Sequence, residues 1–593
     1  MDDRNTNRLW LKGPASDLLI GSGGWSLPLI AITLLLSQDN YGTLSLAFYF
    51  LALFCNNPHY MATLYRAYGH KNDLERYKFF SIYITAIIAL SGVVAHLSPA
   101  LVPLLFTIYL IWSPWHYTGQ NFGIAMMFLR RGSASPTKTE RNTLYASYFG
   151  SYLVWVVELD QTQTQDAMTL TLGLPAELAI SLKLLGYLVF AGGAAYSFIS
   201  LTRKNASRAL AAPLLLHASQ FLWFLLPGLL RSFHDQDYPA TYFSAGILAF
   251  MHCAQYLWIT SYYAKRETEQ SSQTARSAWN PFKYFTVLIL GGIALFVPGP
   301  WIVSKVFGHD LFESALIFIA LVNIHHFMLD GAIWKLRDGR IARLLLGSKQ
   351  KENKTSTHVS NTLSIRKFVF GKTLASRALR YGTATLLIGF AVIDQLQNIF
   401  TASSSNTKRV EIARQFNEND SRVYFRSAKL SIAASDTSKA IAELKRAIEL
   451  NPRNIAALHT LAQLHMLGNE LDQSQMLYQQ ILDISANDYS ALNNLGLLAY
   501  NDSDFTKALA LFQHAYQVDP DSWKTRAFVG SCLTRLHQHE GAIPFLESCL
   551  PHLDQIKNGS ESERLQMILP DLSACYQATG RPQDAQALKA LLP

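Results

Sequence analysis

Up to about Phe400 the chain returns again and again to apolar runs of about 20 residues, the length a helix needs to cross a bilayer's hydrocarbon core. Eleven such runs lie near 17–36, 43–64, 79–97, 100–129, 142–158, 178–201, 210–230, 240–264, 283–303, 312–334 and 380–400. The fourth is overlong and holds Pro103 and Pro114, which predicts a kink or a partly re-entrant segment. Beyond Ser403 these runs stop and charges appear every few positions, which places a boundary between a membrane half, 1–402, and a second half, 403–593.

The net charge of +9 is read by location. Arg66, Lys71, Arg76 and Lys78 follow the second run, and Arg130, Arg131, Lys138 and Arg141 the fourth. Arg203, Lys204 and Arg208 follow the sixth, Lys265, Arg266, Arg276 and Lys283 the eighth, and Lys335, Arg337, Arg340 and Arg343 the tenth. The intervening loops are poor in Lys and Arg; that from Glu158 to Glu177 is acidic, and the first carries Asp39. With Arg4, Arg8 and Lys12 inside, every loop obeys the positive-inside rule, and eleven crossings leave the C-terminus outside the cytoplasm. The expectation is a multi-pass protein of the plasma (inner) membrane. The basic surplus orients helices and gives no reason to expect nucleic acid. The charged N-terminus runs into the first apolar stretch without an A-x-A-like site, so a cleavable signal peptide is not expected. Five cysteines, Cys55, Cys253, Cys532, Cys549 and Cys575, form no C-x-x-C, which argues against a zinc ribbon or a thioredoxin-like site.

From Ser421 the sequence repeats every 34 residues, in blocks 421–454, 455–488, 489–522 and 523–556, with an incomplete block at about 566–593. Leu492, Leu495, Gly496, Ala499, Ala508, Phe512, Ala515 and Pro520 alternate small and large residues in the third block. Ala428, Ala440, Leu444, Ala447 and Pro452 do so in the first, and Gly530, Ala542, Leu546 and Cys549 in the fourth. This pattern resembles the tetratricopeptide repeat (TPR). The resemblance implies an α-solenoid whose concave face binds a protein or peptide partner. The fold expected for the whole chain is therefore all-α, a polytopic bundle of about eleven transmembrane helices followed by a TPR solenoid.

Ionisable residues inside membrane spans are costly and mark function. Six histidines fall within the apolar runs: His59, His116, His217, His252, His325 and His326. With the orientation above, all six lie between mid-membrane and the cytoplasmic face, so five helices carry histidine to a similar depth. His217-x-x-Gln220-Phe-Leu-Trp223 and His252-x-x-Gln255-Tyr-Leu-Trp258 match almost residue for residue, suggesting equivalent roles. Gln120 lies one turn from His116, and Asn323 and Asp330 share a face with His326. The six histidines are candidate metal ligands. Gln120, Asn121, Gln220, Gln255, Asn323 and Asp330 are candidates for orienting ligands or substrate, and Trp115, Trp223 and Trp258 for lining an apolar slot. Neutral imidazole suits iron, copper and zinc alike. A polar proton or substrate pathway without metal is the other functional reading, and structural packing the bland one.

Histidines gathered near the cytoplasmic face of a polytopic protein resemble the membrane iron oxygenases. Pro58-His59 and Trp115-His116 are similar to the bacterial carotenoid-cleaving Brp/Blh family, and His325-His326 to the fatty-acid desaturases and hydroxylases. The desaturase spacings H-x-x-x-H and H-x-x-H-H are absent. The resemblance implies an iron-dependent oxidoreductase acting on a lipid-soluble substrate. In layout the chain also resembles the membrane O-glycosyltransferases with C-terminal TPRs, which implies acidic catalytic residues on a long first external loop; here that loop is Ser37 to Gly42, with Asp39 alone. The rival function is a membrane scaffold or export and assembly component that recruits an extracytoplasmic partner through its TPR array.

Overall fold

The computed structural model describes residues 9–28, 30, 41–68, 71–162, 169–233, 248–271, 279–334, 341, 344–345, 373–402, 405–552 and 565–588. Asp39, the loop residues Lys335, Arg337, Arg340 and Arg343, and parts of the runs at 17–36 and 240–264 lie outside them. The described residues are helical throughout, without a strand. They divide into two compact units, the first reaching Arg426 and the second being Ser427–Pro593. The division falls later than the change in composition at 402/403. Residues 417–421 bond back to the first unit: Asn419 O accepts from Leu311 N (2.9 Å) and Asp310 Oδ1 from Ser421 N (2.7 Å).

Among the described residues, five helices of the first unit are long and apolar enough to cross a membrane: Phe79–Leu97, Ala176–Thr202, Pro281–Phe307, Leu311–Ile333 and Leu374–Ala402. They leave Leu90, Leu188 and Leu386 exposed, an arrangement that water penalises and lipid does not. That is fewer than the eleven expected, for identifiable reasons. The run at 43–64 is broken between Tyr41–Ala52 and Asn56–Tyr68, and that at 210–230 between Ser207–Phe224 and Leu226–Phe233. The runs at 100–129, 142–158 and 240–264 lie in the helices Val102–Arg131, Lys138–Thr162 and Leu248–Ser271, whose polar side chains dilute their hydropathy. Those polar residues face other helices: Asn121, Ser147, Ser151, His252 and Gln255 are all buried. Val102–Arg131 is one continuous helix with Pro114 inside it and Pro103 in its first turn, where a missing N–H costs nothing.

The beginning of the run at 17–36 is no regular span. Pro14–Ser16 is a single turn, Asp17–Gly21 is π-helical, and Gly23 adopts a left-handed φ of 77°. Gly21 must be glycine, because a Cβ there would meet the Trp258 ring at 2.7 Å. Irregular backbone within an apolar bundle needs partners for its polar groups, and neighbouring helices supply them. Gln255 Nε2 donates to Gly21 O (2.8 Å) and Ser219 Oγ to Ser22 O (2.7 Å). Trp223 Nε1 donates to Ser26 Oγ (3.0 Å), and Trp258 Nε1 to Asp17 Oδ1 (3.2 Å).

In the repeat region, helix pairs begin at Ser421, Ile455, Tyr489 and Trp523, one for each block read from the sequence. Asp436, Asn454, Asp488 and Asp504 cap helices by accepting from backbone N–H groups. Ser435, Asn469, Ser503 and His537 all take left-handed φ in the turn within a pair, repeating the 34-residue period in the backbone itself. Ala440, Leu444, Ala447, Ala508, Phe512 and Ala515 are fully buried between helices.

Candidate metal centre

The polar residues singled out in the sequence ride on five helices, labelled here in chain order: α1 (Asn56–Tyr68), α2 (Val102–Arg131), α3 (Ser207–Phe224), α4 (Leu248–Ser271) and α5 (Leu311–Ile333). Four of the six histidines converge: His59 from α1, His116 from α2, His252 from α4 and His326 from α5. Ring centroids lie 4.8 Å apart for His59 and His326, 5.3 Å for His59 and His252, and 5.0 Å for His116 with either His252 or His326. His59, His252 and His326 are buried; the His116 side chain keeps 12% of its surface.

Hydrogen bonds decide which atoms face the cluster. His59 Nδ1 pairs with the Asn56 carbonyl, an acceptor, so Nδ1 carries the proton. His326 Nδ1 lies 2.9 Å from Thr63 Oγ1. The Nε2 atoms of His59, His116, His252 and His326 are all buried without a hydrogen-bond partner among the described residues. Asp330, one turn beyond His326, is divided likewise. Its Oδ1 accepts from Tyr256 Oη (2.7 Å) and Thr63 Oγ1 (2.9 Å), while Oδ2 stands 3.5 Å from His326 Nε2 and 3.7 Å from His116 Nε2.

Lone pairs converging in a dry pocket repel one another unless a cation or protons lie between them. Donors sharing one ion with bonds of about 2.0–2.2 Å sit roughly 3.3–3.6 Å apart, close to the two spacings at Asp330 Oδ2. His59, His252 and His326 form one group whose donor atoms all lie within 4.8 Å of one another, and His116, His326 and Asp330 form another. The two groups share His326 and so lie side by side, an arrangement that suits one or two ions. The second group has the two-histidine, one-carboxylate composition found in non-haem iron sites. The pocket wall is aromatic: Tyr60 lies against His59 (3.7 Å), Tyr117 stacks on His252 (4.1 Å) and Phe327 on His116 (4.7 Å).

The other two histidines lie elsewhere. His217 stacks on Phe190 (4.2 Å, 12°) with Tyr148 and Phe198 around it. His325 neighbours His326 and so points about 100° away around α5; its Nε2 meets Thr85 Oγ1 at 2.8 Å. The matching motifs of α3 and α4 therefore share their Trp and Gln roles but not their His role. Trp223 and Trp258 both hold the N-terminal segment and do not line a slot, and Trp115 is exposed beside Tyr145, Phe149 and Tyr152. The amides lock helices together. Asn121 donates to Gln220 (2.7 Å), which donates to Thr118 and Ser151, and Gln120 donates to Gln255 (2.6 Å). Asn323 accepts from Tyr60 Oη (2.5 Å).

Thr63, Tyr256 and Cys253 were not singled out in the sequence. Cys253 Sγ lies 3.0 Å from His59 Nδ1 and from Asn56 Oδ1. The available signal was spacing. His59 with Thr63, His252 with Tyr256, and His326 with Asp330 are each four apart, so three helices contribute a histidine layer and, one turn on, a second polar layer. Because the order of layers is the same on each, α1, α4 and α5 run parallel past the site.

The pattern of the tetratricopeptide repeat matches residues 431–496, so the C-terminal unit contains tetratricopeptide repeats. Anaphase-promoting complex subunit 3 of Schizosaccharomyces pombe is 25% identical over 115 residues, 19% of this chain and 17% of that protein. The chain thus spans about a sixth of that relative's length. Among solved structures, YrrB, a TPR protein with an unusual peptide-binding site, is 15% identical with a TM-score of 0.27, covering 31% of this chain and 90% of its own. MamA is 13% identical (TM-score 0.24; 32% and 98%), and PilF of Pseudomonas aeruginosa 12% (0.25; 33% and 98%).

Proposed function

We propose that the chain is a membrane-embedded oxidoreductase in which His59, His116, His252, His326 and Asp330 hold one or two iron ions, and that it acts on a lipid-soluble substrate. The observation that carries this reading is the convergence of four histidine rings, each with an unpartnered Nε2, beside one carboxylate in a buried cluster with aromatic neighbours. Iron bound there would supply dioxygen activation, provided that a coordination position stays open. The residues do the rest. Asn56 fixes the His59 tautomer, while Tyr60, Tyr117 and Phe327 keep the pocket dry. The partly exposed edge of His116 gives substrate its approach, and the exposed apolar helices of this unit put that approach in contact with hydrocarbon.

In this reading the protein spans the plasma (inner) membrane, with its Lys- and Arg-rich loops inside and its TPR unit outside the cytoplasm, where it binds a protein or peptide. The parallel course of α1, α4 and α5 supports the orientation, since alternating crossings give all three the same sense. A reporter fused after Pro593 tests it: activity confined to the cytoplasm would reverse the assignment.

His116→Ala, His252→Ala and His326→Ala test the site. Each is expected to lower bound iron and abolish activity while the protein still inserts, and their effects on iron content should be strongly non-additive, because the ligands act as a unit. Full iron retention in all three would remove the oxidoreductase reading and leave a polar pathway or a recruiting scaffold.

A further inference from the structure

The polar layer one turn beyond the histidines is a set of short contacts centred on Thr63 and Asp330. Thr63 Oγ1 has three neighbours, His326 Nδ1 (2.9 Å), Asp330 Oδ1 (2.9 Å) and Tyr256 Oη (2.5 Å), but only one proton of its own. Tyr256 Oη lies 2.7 Å from Asp330 Oδ1 and accepts from Trp334 Nε1 at 2.9 Å. A carboxylate oxygen can only accept, so the hydroxyl protons of Thr63 and Tyr256 both point at Asp330 Oδ1. Thr63 then has a lone pair left for the Nδ1–H of His326. This arrangement of protons leaves His326 Nε2 without a hydrogen-bond partner, with Asp330 Oδ2 3.5 Å from it. Thr63, Tyr256, His326 and Asp330 are all buried, so water does not compete for these bonds.

We infer that Thr63 and Tyr256 are positioning residues. Together they hold His326 as the tautomer whose Nε2 carries the free lone pair, and they occupy Asp330 Oδ1 so that Asp330 presents a single oxygen. The inference rests on the metal-site reading above. Outer partners of this kind fix ligand orientation, and their loss costs about 10–100-fold in metal affinity. The layer extends to the end of α5: Trp334 Nε1 anchors Tyr256, and the Arg66 guanidinium lies 3.9 Å over the Trp334 ring. Tyr256 is thereby held from both sides, by Trp334 and by Asp330.

The test is cobalt(II) titration of the purified full-length protein in detergent, following affinity and the visible absorption that reports the ligand set. Thr63→Val keeps the shape but loses both the donor and the acceptor. It is expected to bind cobalt about 10–100-fold more weakly, with an altered spectrum. Thr63→Ser, which restores the hydroxyl, should recover both. Tyr256→Phe should change the spectrum and weaken binding, because Asp330 Oδ1 loses one of its two donors and the carboxylate can turn. Wild-type affinity and spectrum in Thr63→Val and Tyr256→Phe would overturn the inference while leaving the metal site standing. So would a Thr63→Ser protein that is folded yet binds no better than Thr63→Val. A wild-type protein that takes up no cobalt would bring down the metal-site reading, and this inference with it.

Discussion

Two glycines in the solenoid should respond in opposite directions to the same substitution. At Gly496 an added Cβ would lie 2.8, 2.9 and 3.0 Å from three carbons of the Phe512 ring. That ring is fully buried and stacked on Phe528 at 4.7 Å and 7°, so it cannot yield without disturbing the next helix pair. Overpacking of this kind costs about 1–3 kcal/mol, while replacing a mid-helix glycine by alanine gains about 1 kcal/mol. Gly496→Ala should therefore lose about 1 kcal/mol net. At Gly541 the nearest atom is Leu533 Cδ1 at 3.9 Å, an ordinary contact, so only the helix-propensity gain applies. In a fragment of residues 421–593, each kcal/mol moves the melting temperature by about 2–4 °C. Circular dichroism melts should show Gly496→Ala falling and Gly541→Ala rising by about that much. Two shifts of the same sign and size would refute the packing of Gly496 against Phe512.

Three further outcomes follow from other parts of the molecule. The fragment 421–593 should express as a soluble helical domain, because each repeat packs on its neighbours; aggregation without detergent would count against it. His217→Ala should cost about 2–4 kcal/mol by emptying the space beside Phe190 yet leave metal content at the wild-type level, which parallel metal and melting measurements would check. Asp488 is pushed upward in pKa by burial, but hydrogen bonds from His459 and from Ala491 N–H outweigh this and hold it below the ordinary aspartate value. With a folded-state pKa below the unfolded one, its contribution is present at neutral pH and lost as pH falls through the folded value. Asp488→Ala should thus cost about 1 kcal/mol at pH 7, and melts at successively lower pH should show the difference from wild type closing.

The solenoid was legible because its period is local. Each 34-residue block carries its own helices, caps and small-residue contacts, so the starts at 421, 455, 489 and 523 could be read directly. The membrane half was less so. Hydropathy finds apolar runs but does not say which helices are interior. Val102–Arg131 and Leu248–Ser271 carry their polar residues because they pack against other helices, and Asp17–Gly21 looked like part of a span although it is an irregular segment. At the site, shared depth put six histidines at one level, but depth does not fix rotation about a helix axis. His325 and His326 could not both face one pocket, yet only the packing of α5 chooses between them. His217 shared a motif with His252, and the common part proved to be a Trp that holds the N-terminal segment and a Gln that accepts from an amide of α2. Asp330 was expected near His326; that one of its oxygens would be claimed by Thr63 and Tyr256, on two other helices, is a tertiary fact.

The most direct measurement is elemental analysis of the full-length protein, purified after expression in iron-replete medium and again after anaerobic reconstitution with iron(II). Four histidines and one carboxylate gathered in two adjoining groups should yield one or two irons per chain, reduced in His252→Ala and His326→Ala but unchanged in His217→Ala. An iron-free wild-type protein under both conditions, or equal iron in all four proteins, would contradict the account.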